Sequence, residues 1–161
     1  MAKIYGIELK GVTRFKGHEG EPLTQGNIYM DGKKVGYYSD DFHGGPINLQ
    51  IDEPYKEKFY KIVHAHIGED KFMADEIFIE DLVNLGEFEK DFKRAMKKGY
   101  KAMMVVDHPS RYPISINTTD KSVENTIKWL DENGYEEYKV DGKYNITPYI
   151  NIVQFTLHMR G

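Results

Sequence analysis

The chain of 161 residues contains no cysteine, and this absence excludes three kinds of feature. A disulfide framework, a thiolate nucleophile and a zinc site with thiolate ligands all need cysteine. The sequence also has no apolar run long enough to span a membrane, and its first residues lack the apolar core of a signal peptide. We therefore expect a soluble, cytoplasmic protein.

The sequence also lacks an excess of positive charge. It carries 22 Lys or Arg and 26 Asp or Glu, which gives a net charge of −4, and the two signs are mixed along the chain. A protein dedicated to duplex DNA usually has a strong basic bias. The composition therefore argues against duplex DNA as the partner.

Several enzyme motifs are missing as well. The sequence has no Gly-x-Ser-x-Gly elbow and no phosphate-binding loop of the Gly-x-x-x-x-Gly-Lys-Ser/Thr type. His64 and His66 are predicted on a helix, where residues two apart point in different directions and cannot chelate a metal together. We expect no metal, no cofactor and no catalytic residue.

The strongest structural signal is the segment 27–39, in which Asp31-Gly32 separates two alternating runs. Asp-Gly at such a place predicts a β-hairpin, because both central residues of the tight turn need positive φ. A two-residue turn predicts that Ile28 lies opposite Val35, with Tyr37 on the same face.

Periodicity elsewhere predicts further strands and helices. The expected strands cover 4–9, 47–51, 100–106, 114–116, 135–140, 143–147 and 149–158. The expected helices cover 53–67, 76–85, 88–98 and 120–132. Loops are predicted over Gly17–Gly26 and 107–113, with a β-bulge at Gly11. Together these elements predict a single α+β domain over residues 1–161, with a mainly antiparallel sheet and β-hairpins packed against three or four helices.

Two polar segments are candidate binding sites, because loops on a rigid scaffold often carry function. One segment follows the hairpin and combines carboxylates, an imidazole and glycines. Its candidate residues are Asp40, Asp41, His43, Gly44 and Gly45. The other follows a buried strand and contributes His108 and Arg111, a pair suited to binding phosphate or carboxylate.

Part of the chain resembles a group of small proteins from phages and other mobile elements. The similar segments are Lys10-Gly11-Val12, Glu19-Gly20, Asp31–Gly36, Asp40–Pro46 and the helical middle through Phe88 to Lys98. The resemblance implies an accessory gene of a phage or similar element. It implies no activity and no catalytic residue.

These observations favour a phage-type accessory protein that acts as a non-enzymatic binder. We expect it to inhibit a host antiviral defence, either by binding a host protein or by sequestering a small nucleotide-like signal. Assembly into a homo-oligomer is compatible with the sequence. The alternative is a nucleotide or phosphoester hydrolase that uses Asp40, Asp41 and His43, or His108 and Arg111.

Overall fold

The structure is a computed structural model that describes residues 2–17, 19–20, 22–40, 47–69 and 72–156. The strands are β1 (Ile7–Lys16), β2 (Pro22–Met30), β3 (Lys33–Ser39), β4 (Asn48–Ile51), β5 (Ala102–His108), β6 (Arg111–Thr118) and β7 (Asn145–Tyr149). The α-helices are α1 (Glu53–Ile67), α2 (Ala74–Lys97) and α3 (Val123–Glu132). Short 3₁₀ helices cover Glu136–Tyr138 and Ile152–Thr156.

The strands form two antiparallel sheets, with the orders β1-β2-β3-β4 and β6-β5-β7. Helices and antiparallel hairpins are combined in one chain, which confirms the predicted α+β class. The chain divides into two compact units, the first made of Met1–Glu87 with Phe155–Gly161 and the second of Phe88–Gln154. Each unit holds one sheet, whereas the sequence predicted one sheet in all. The single domain over residues 1–161 stays a prediction.

The hairpin between β2 and β3 is confirmed. Its turn consists of Asp31 and Gly32, whose φ angles of 51° and 83° are those that a type I′ turn requires. The Asp31 amide donates a hydrogen bond of 3.1 Å to the Gly6 carbonyl. The Lys58 ammonium group donates one of 2.9 Å to the Asp31 carboxylate. The turn therefore follows from the local preferences of Asp-Gly, and the hydrogen bonds to Gly6 and Lys58 stabilise it.

The register of the hairpin differs from the predicted one by one residue. Ile28 pairs with Gly36 instead of Val35, because the register shifts next to this pair. A shift of one residue moves the side chains that follow to the other face of the strand. Tyr38 is therefore buried, and Tyr37, which was predicted to share a face with Ile28, is exposed.

Replacing Gly32 with valine tests the turn. A β-branched residue at positive φ is strained, and we expect Gly32→Val to lower the free energy of unfolding by about 1 kcal/mol or more. Apart from its chain neighbours, no described atom lies within 4 Å of the position that a Cβ would take, so the loss would come from backbone strain. Gly32→Asn is the control in urea unfolding, since asparagine tolerates this φ better. Equal stability of the valine variant and the wild type would contradict the turn.

The N-terminal strands depart from the prediction in length. β1 begins at Ile7 and not at residue 4, because the chain turns tightly at Tyr5 and Gly6, with φ angles of 50° and 81°. The β-bulge predicted at Gly11 is confirmed by a register shift there. The loop predicted over Gly17–Gly26 is wrong in its second half, where β2 already pairs with β1.

Helix α1 follows the prediction, since it begins after Asp52 and ends at Gly68. The two helices predicted over 76–85 and 88–98 are a single helix, α2, because its buried side continues past Gly86 without a break. The residues of that side are Phe78, Leu82, Leu85, Glu89, Phe92 and Ala95. Across the described ranges, none of the helices combines the length and the apolar character that crossing a membrane requires.

Strand β5 is central in the sheet of the second unit. The stretch from Ala102 to Val106 is entirely buried, as predicted for a strand covered on both faces. The polar turn predicted over 107–113 is shorter than expected, because β5 extends to His108 and β6 begins at Arg111. The turn itself contains only two residues, Pro109-Ser110. The two strand ends therefore lie side by side.

The hairpin predicted from 135–140 and 143–147 does not form. Asp141 and Gly142 make a tight turn, as expected, and Val140 pairs with Lys143 across it. Upstream, however, the chain forms a 3₁₀ helix. Strand β7 pairs with β5 instead.

The strand predicted over 149–158 is wrong over its described part, 149–156, because β7 ends at Tyr149 and a 3₁₀ helix follows; residues 157 and 158 lie outside the described residues. The side chain of Gln154 accepts hydrogen bonds of 2.7 and 2.9 Å from the amides of Ile150 and Asn151. These bonds satisfy the backbone locally, so the chain does not need a strand partner there.

Candidate functional site

The predicted site residues fall into separate parts of the chain. Asp40 belongs to the first unit and follows β3 directly. His108 and Arg111 belong to the second unit and occupy the adjoining ends of β5 and β6. The remaining predicted residues, Asp41, His43, Gly44 and Gly45, lie outside the described residues.

Asp40 lies in an acidic environment. Its amide donates a hydrogen bond of 3.2 Å to the Thr24 carbonyl. Burial raises the pKa of Glu76 and of Glu80 on α2, and the negative charge of Asp40 raises both pKa values further. Like charges are therefore close enough here to disfavour the ionised form of Glu76 and Glu80. In the ranges that the structure describes, no three His, Asp or Glu side chains are grouped as metal ligands.

The two histidines of α1 pack against different neighbours. His66 is buried, with Nε2 3.1 Å from an oxygen of the Asp81 carboxylate and its ring centroid 5.6 Å from that of Phe78. His64 is half-buried, and its ring centroid lies 6.4 Å from that of Tyr60. The divergent directions are those predicted for residues two apart on a helix. His66 joins α1 to α2.

His108 and Arg111 form the pair that closes the turn between β5 and β6. The Ser110 amide donates a hydrogen bond of 3.0 Å to Nδ1 of His108, which orients the imidazole. The register shifts just before this pair, in the stretch of β6 that contains Pro113, a residue without an amide hydrogen for the ladder. His108 and Arg111 are therefore backbone partners at the ends of β5 and β6, and their role as a binding site stays a prediction.

Both side chains lie against the ring of Tyr138. The Arg111 guanidinium carbon is 5.8 Å from the ring centroid, within the range of a cation–π contact. The His108 ring meets the same ring edge to face, with centroids 6.2 Å apart. The Tyr138 hydroxyl donates a hydrogen bond of 3.2 Å to the Tyr112 carbonyl. Tyr112 itself is 92% exposed.

The end of helix α3 brings two further aromatic rings to this surface. The Tyr135 amide donates to the Leu130 carbonyl, and Gly134 adopts a φ of 80°, so the helix ends in a Schellman turn. This turn reverses the chain and places Tyr135 on Trp129. Their ring centroids are 5.5 Å apart and their planes are inclined by only 28°.

The 3₁₀ helix after this turn adds the third ring. Residues three apart lie on the same side of a 3₁₀ helix, so Tyr138 follows Tyr135 at a centroid distance of 6.0 Å. Trp129, Tyr135 and Tyr138 together form the aromatic row. The strand predicted over 135–140 does not imply this row, because a strand places residues three apart on opposite faces. The signal that could have found it is Asn133-Gly134 as a helix end, followed by tyrosines at 3₁₀ spacing.

Two acidic residues next to the aromatic row, Asp131 and Glu136, share the cation of Lys139. Its ammonium nitrogen is 3.0 Å from a carboxylate oxygen of Asp131 and 3.0 Å from one of Glu136. Hydrogen bonds to these carboxylates, that of Asp131 first, raise the pKa of Lys139 to about 12. The bonds that Lys139 and then Tyr144 donate lower the pKa of Asp131. Lys139 is therefore engaged within the protein.

Arg111, in contrast, pairs with no carboxylate among the described residues, whereas Arg14 and Arg94 pair with Glu87 and Asp91. The second unit carries 11 Lys or Arg and 10 Asp or Glu, and the first unit carries 11 and 16. The net charges are therefore +1 and −5. The acidic excess of the protein belongs to the first unit, and an anion meets less repulsion at the second.

No protein-family model, curated protein or solved structure matches this chain.

Proposed function

We propose that the protein is a non-enzymatic binding protein whose second unit takes a nucleotide-like ligand, that is, a planar base linked to phosphate. The proposed site consists of His108, Arg111, Tyr112 and Tyr138 and is named the Arg111 surface. The observation that carries the proposal is the position of the Arg111 guanidinium 5.8 Å from the centroid of the Tyr138 ring. It joins a group that binds phosphate to a ring on which a base can stack.

The chemistry of the Arg111 surface suits both halves of such a ligand. A guanidinium group presents its donors in a planar fork that matches the oxygens of a phosphate, and it is always charged. Arg111 is exposed and has no described acidic partner to neutralise it. Tyr112, the next residue in the chain, is exposed, and its carbonyl accepts the hydrogen bond of the Tyr138 hydroxyl. Phosphate and base would thus contact adjacent groups.

The hydrolase alternative has less support. The sequence contains one His-x-Ser segment, His108-Pro109-Ser110, whereas a phosphoesterase of the two-histidine class needs two such segments. Nδ1 of His108 already accepts the Ser110 amide, which leaves one ring nitrogen for a ligand. Binding needs only that nitrogen and the Arg111 charge. A general acid–base reaction would need a further group held in place.

The biological role that we propose follows from the resemblance to proteins of phages and other mobile elements. In that setting a nucleotide-like ligand would be a signal of host antiviral defence, and the protein would act by sequestering it. A host protein bound at the same surface is the other form of this proposal. Exposed tyrosine, tryptophan and arginine side chains suit either kind of partner.

Arg111→Ala tests the Arg111 surface. Hydrogen bonds to charged groups contribute about 1.5–3 kcal/mol, so we expect this variant to bind its nucleotide about tenfold to a hundredfold more weakly. Isothermal titration calorimetry with a panel of ribonucleoside monophosphates and cyclic nucleotides gives the dissociation constants. Arg94→Ala is the matched control, because Arg94 is an exposed arginine of the same unit that pairs with Asp91 on α2.

Three results would count against the proposal. One is that no nucleotide of the panel binds to the wild-type protein. Another is equal weakening in the Arg111 and Arg94 variants, which would indicate a general effect of charge. The third is release of a dephosphorylated or ring-opened product on chromatography of the wild-type mixture but not of the Arg111→Ala mixture. That result would establish the hydrolase alternative.

A further inference from the structure

We infer that the ligand contains at least two linked nucleotides and is a segment of single-stranded nucleic acid lying along the aromatic row. This inference rests on the proposed function, because it extends the Arg111 surface from Tyr138 to Tyr135 and Trp129. The two parts share the Tyr138 ring, and all of these residues belong to the second unit.

The ring planes show why one base is not enough to cover the row. Trp129 and Tyr135 are inclined by 28° and form one stacking platform. Tyr138, a half-buried ring that His108 and Arg111 also contact, is inclined by 57° to Tyr135 and would offer a second platform through its remaining surface. A planar base that stacks on one platform cannot be parallel to the other. A ligand that covers both platforms therefore needs two planar bases whose planes diverge.

Diverging base planes point to a single strand. Within a duplex the bases are stacked on one another and their faces are covered, whereas an unpaired strand can splay its bases onto aromatic side chains. Stacking of this kind depends little on sequence, because every base has a π face. The exposure of Trp129, 42% of its surface, leaves room for such a contact.

The charges support a short contact with few phosphates. Arg111 lies at the Tyr138 end of the row, and Lys139 is engaged by Asp131 and Glu136. Because Arg111 contacts the row and pairs with no described carboxylate, while Lys139 is shared by two, we expect few phosphate contacts and few released counterions when nucleic acid binds. Its affinity should therefore depend weakly on salt and strongly on the number of stacked bases.

The single tryptophan of the chain provides the measurement. Because Trp129 is the only tryptophan, its fluorescence reports on the aromatic row alone. We expect oligothymidylates and oligouridylates of two and four nucleotides to quench it, and the mononucleotides to bind at least about fivefold more weakly than the dinucleotides. We expect a salt slope close to that of one phosphate contact, about 0.7 in log Kd against log salt concentration.

Variants separate this inference from the proposed function. Trp129→Ala and Tyr135→Ala should weaken binding of a fluorescein-labelled tetranucleotide about fivefold or more and leave mononucleotide binding unchanged, whereas Arg111→Ala should weaken both. Fluorescence anisotropy measures the tetranucleotide, and calorimetry measures the mononucleotide. Tyr37→Ala, at an exposed tyrosine of the first unit, is the matched control. Thermal melting establishes that each variant is folded.

The outcomes differ between the two proposals. If mononucleotides bind through Arg111 but longer strands bind no tighter and do not quench Trp129, the single-strand inference is wrong and the proposed function stands. If neither mononucleotides nor longer strands bind, both are wrong. If a proline-rich peptide quenches Trp129 and the nucleotides do not, the aromatic row is a peptide site and both proposals are overturned. Quenching of Trp129 in the wild-type protein tests the single-strand inference even if a variant fails to fold.

Discussion

Gly36→Ala is expected to lower the free energy of unfolding by about 3 kcal/mol or more. A Cβ at this position would lie 2.0 Å from the carbonyl oxygen of Gln50 and 3.0 Å from the Cα of Ile51. Both are backbone atoms of β4, so no side chain can rotate away to make room. The methyl group would force β4 away from β3, and the hydrogen bond of 2.7 Å from the Asp52 amide to the Val35 carbonyl would be lost with it.

Gly86→Ala is the matched control, because it is the same substitution in the same unit. Gly86 lies inside α2, and no described atom outside its own helix comes within 4 Å of the position of a Cβ. Alanine is the better helix former, so this variant should gain about 1 kcal/mol. Urea unfolding followed by circular dichroism would give both values. A stable Gly36→Ala protein would show that β3 and β4 do not approach as closely as the structure has them.

The turn of the hairpin could be predicted from the sequence, but its register at Gly36 could not. The turn at Asp31-Gly32 depends only on the conformational preferences of these two residues, which both adopt positive φ. It could therefore be predicted from the sequence. The bulge that pairs Ile28 with Gly36 is not local, because it depends on which residue β4 can approach. The pattern of apolar residues does not indicate whether Tyr37 or Tyr38 is the buried side chain.

The candidate site shows the same division between local and tertiary information. His108 and Arg111 flank a two-residue turn after a buried strand, and this proximity follows from the sequence order alone. The aromatic row depends on how the chain leaves α3. Tyr135 and Tyr138 lie on one side only because a 3₁₀ helix replaces the predicted strand. In a strand, residues three apart would lie on opposite faces, but this segment is a 3₁₀ helix.

Phe78→Ala is the second large effect that we expect, a loss of about 3–5 kcal/mol in the free energy of unfolding. Phe78 on α2 has no exposed surface, and its ring packs edge to face on Phe59 and on His66 of α1, with centroids 6.0 and 5.6 Å apart. Removing the ring would leave a cavity between the two helices. Because small domains are stable by only about 5–15 kcal/mol, urea unfolding should show a large shift of the midpoint.

Phe72→Ala removes the same atoms from a site that is 85% exposed, just before α2 begins, and it should change the stability by no more than about 0.5 kcal/mol. The difference between the two phenylalanine variants therefore isolates burial from the general effect of losing a phenyl ring. Equal midpoints for Phe78→Ala and Phe72→Ala would show that α1 and α2 do not pack through this cluster. A large loss confined to Phe78→Ala would establish that the packing of α1 on α2, with His66 buried beside Asp81, stabilises the first unit.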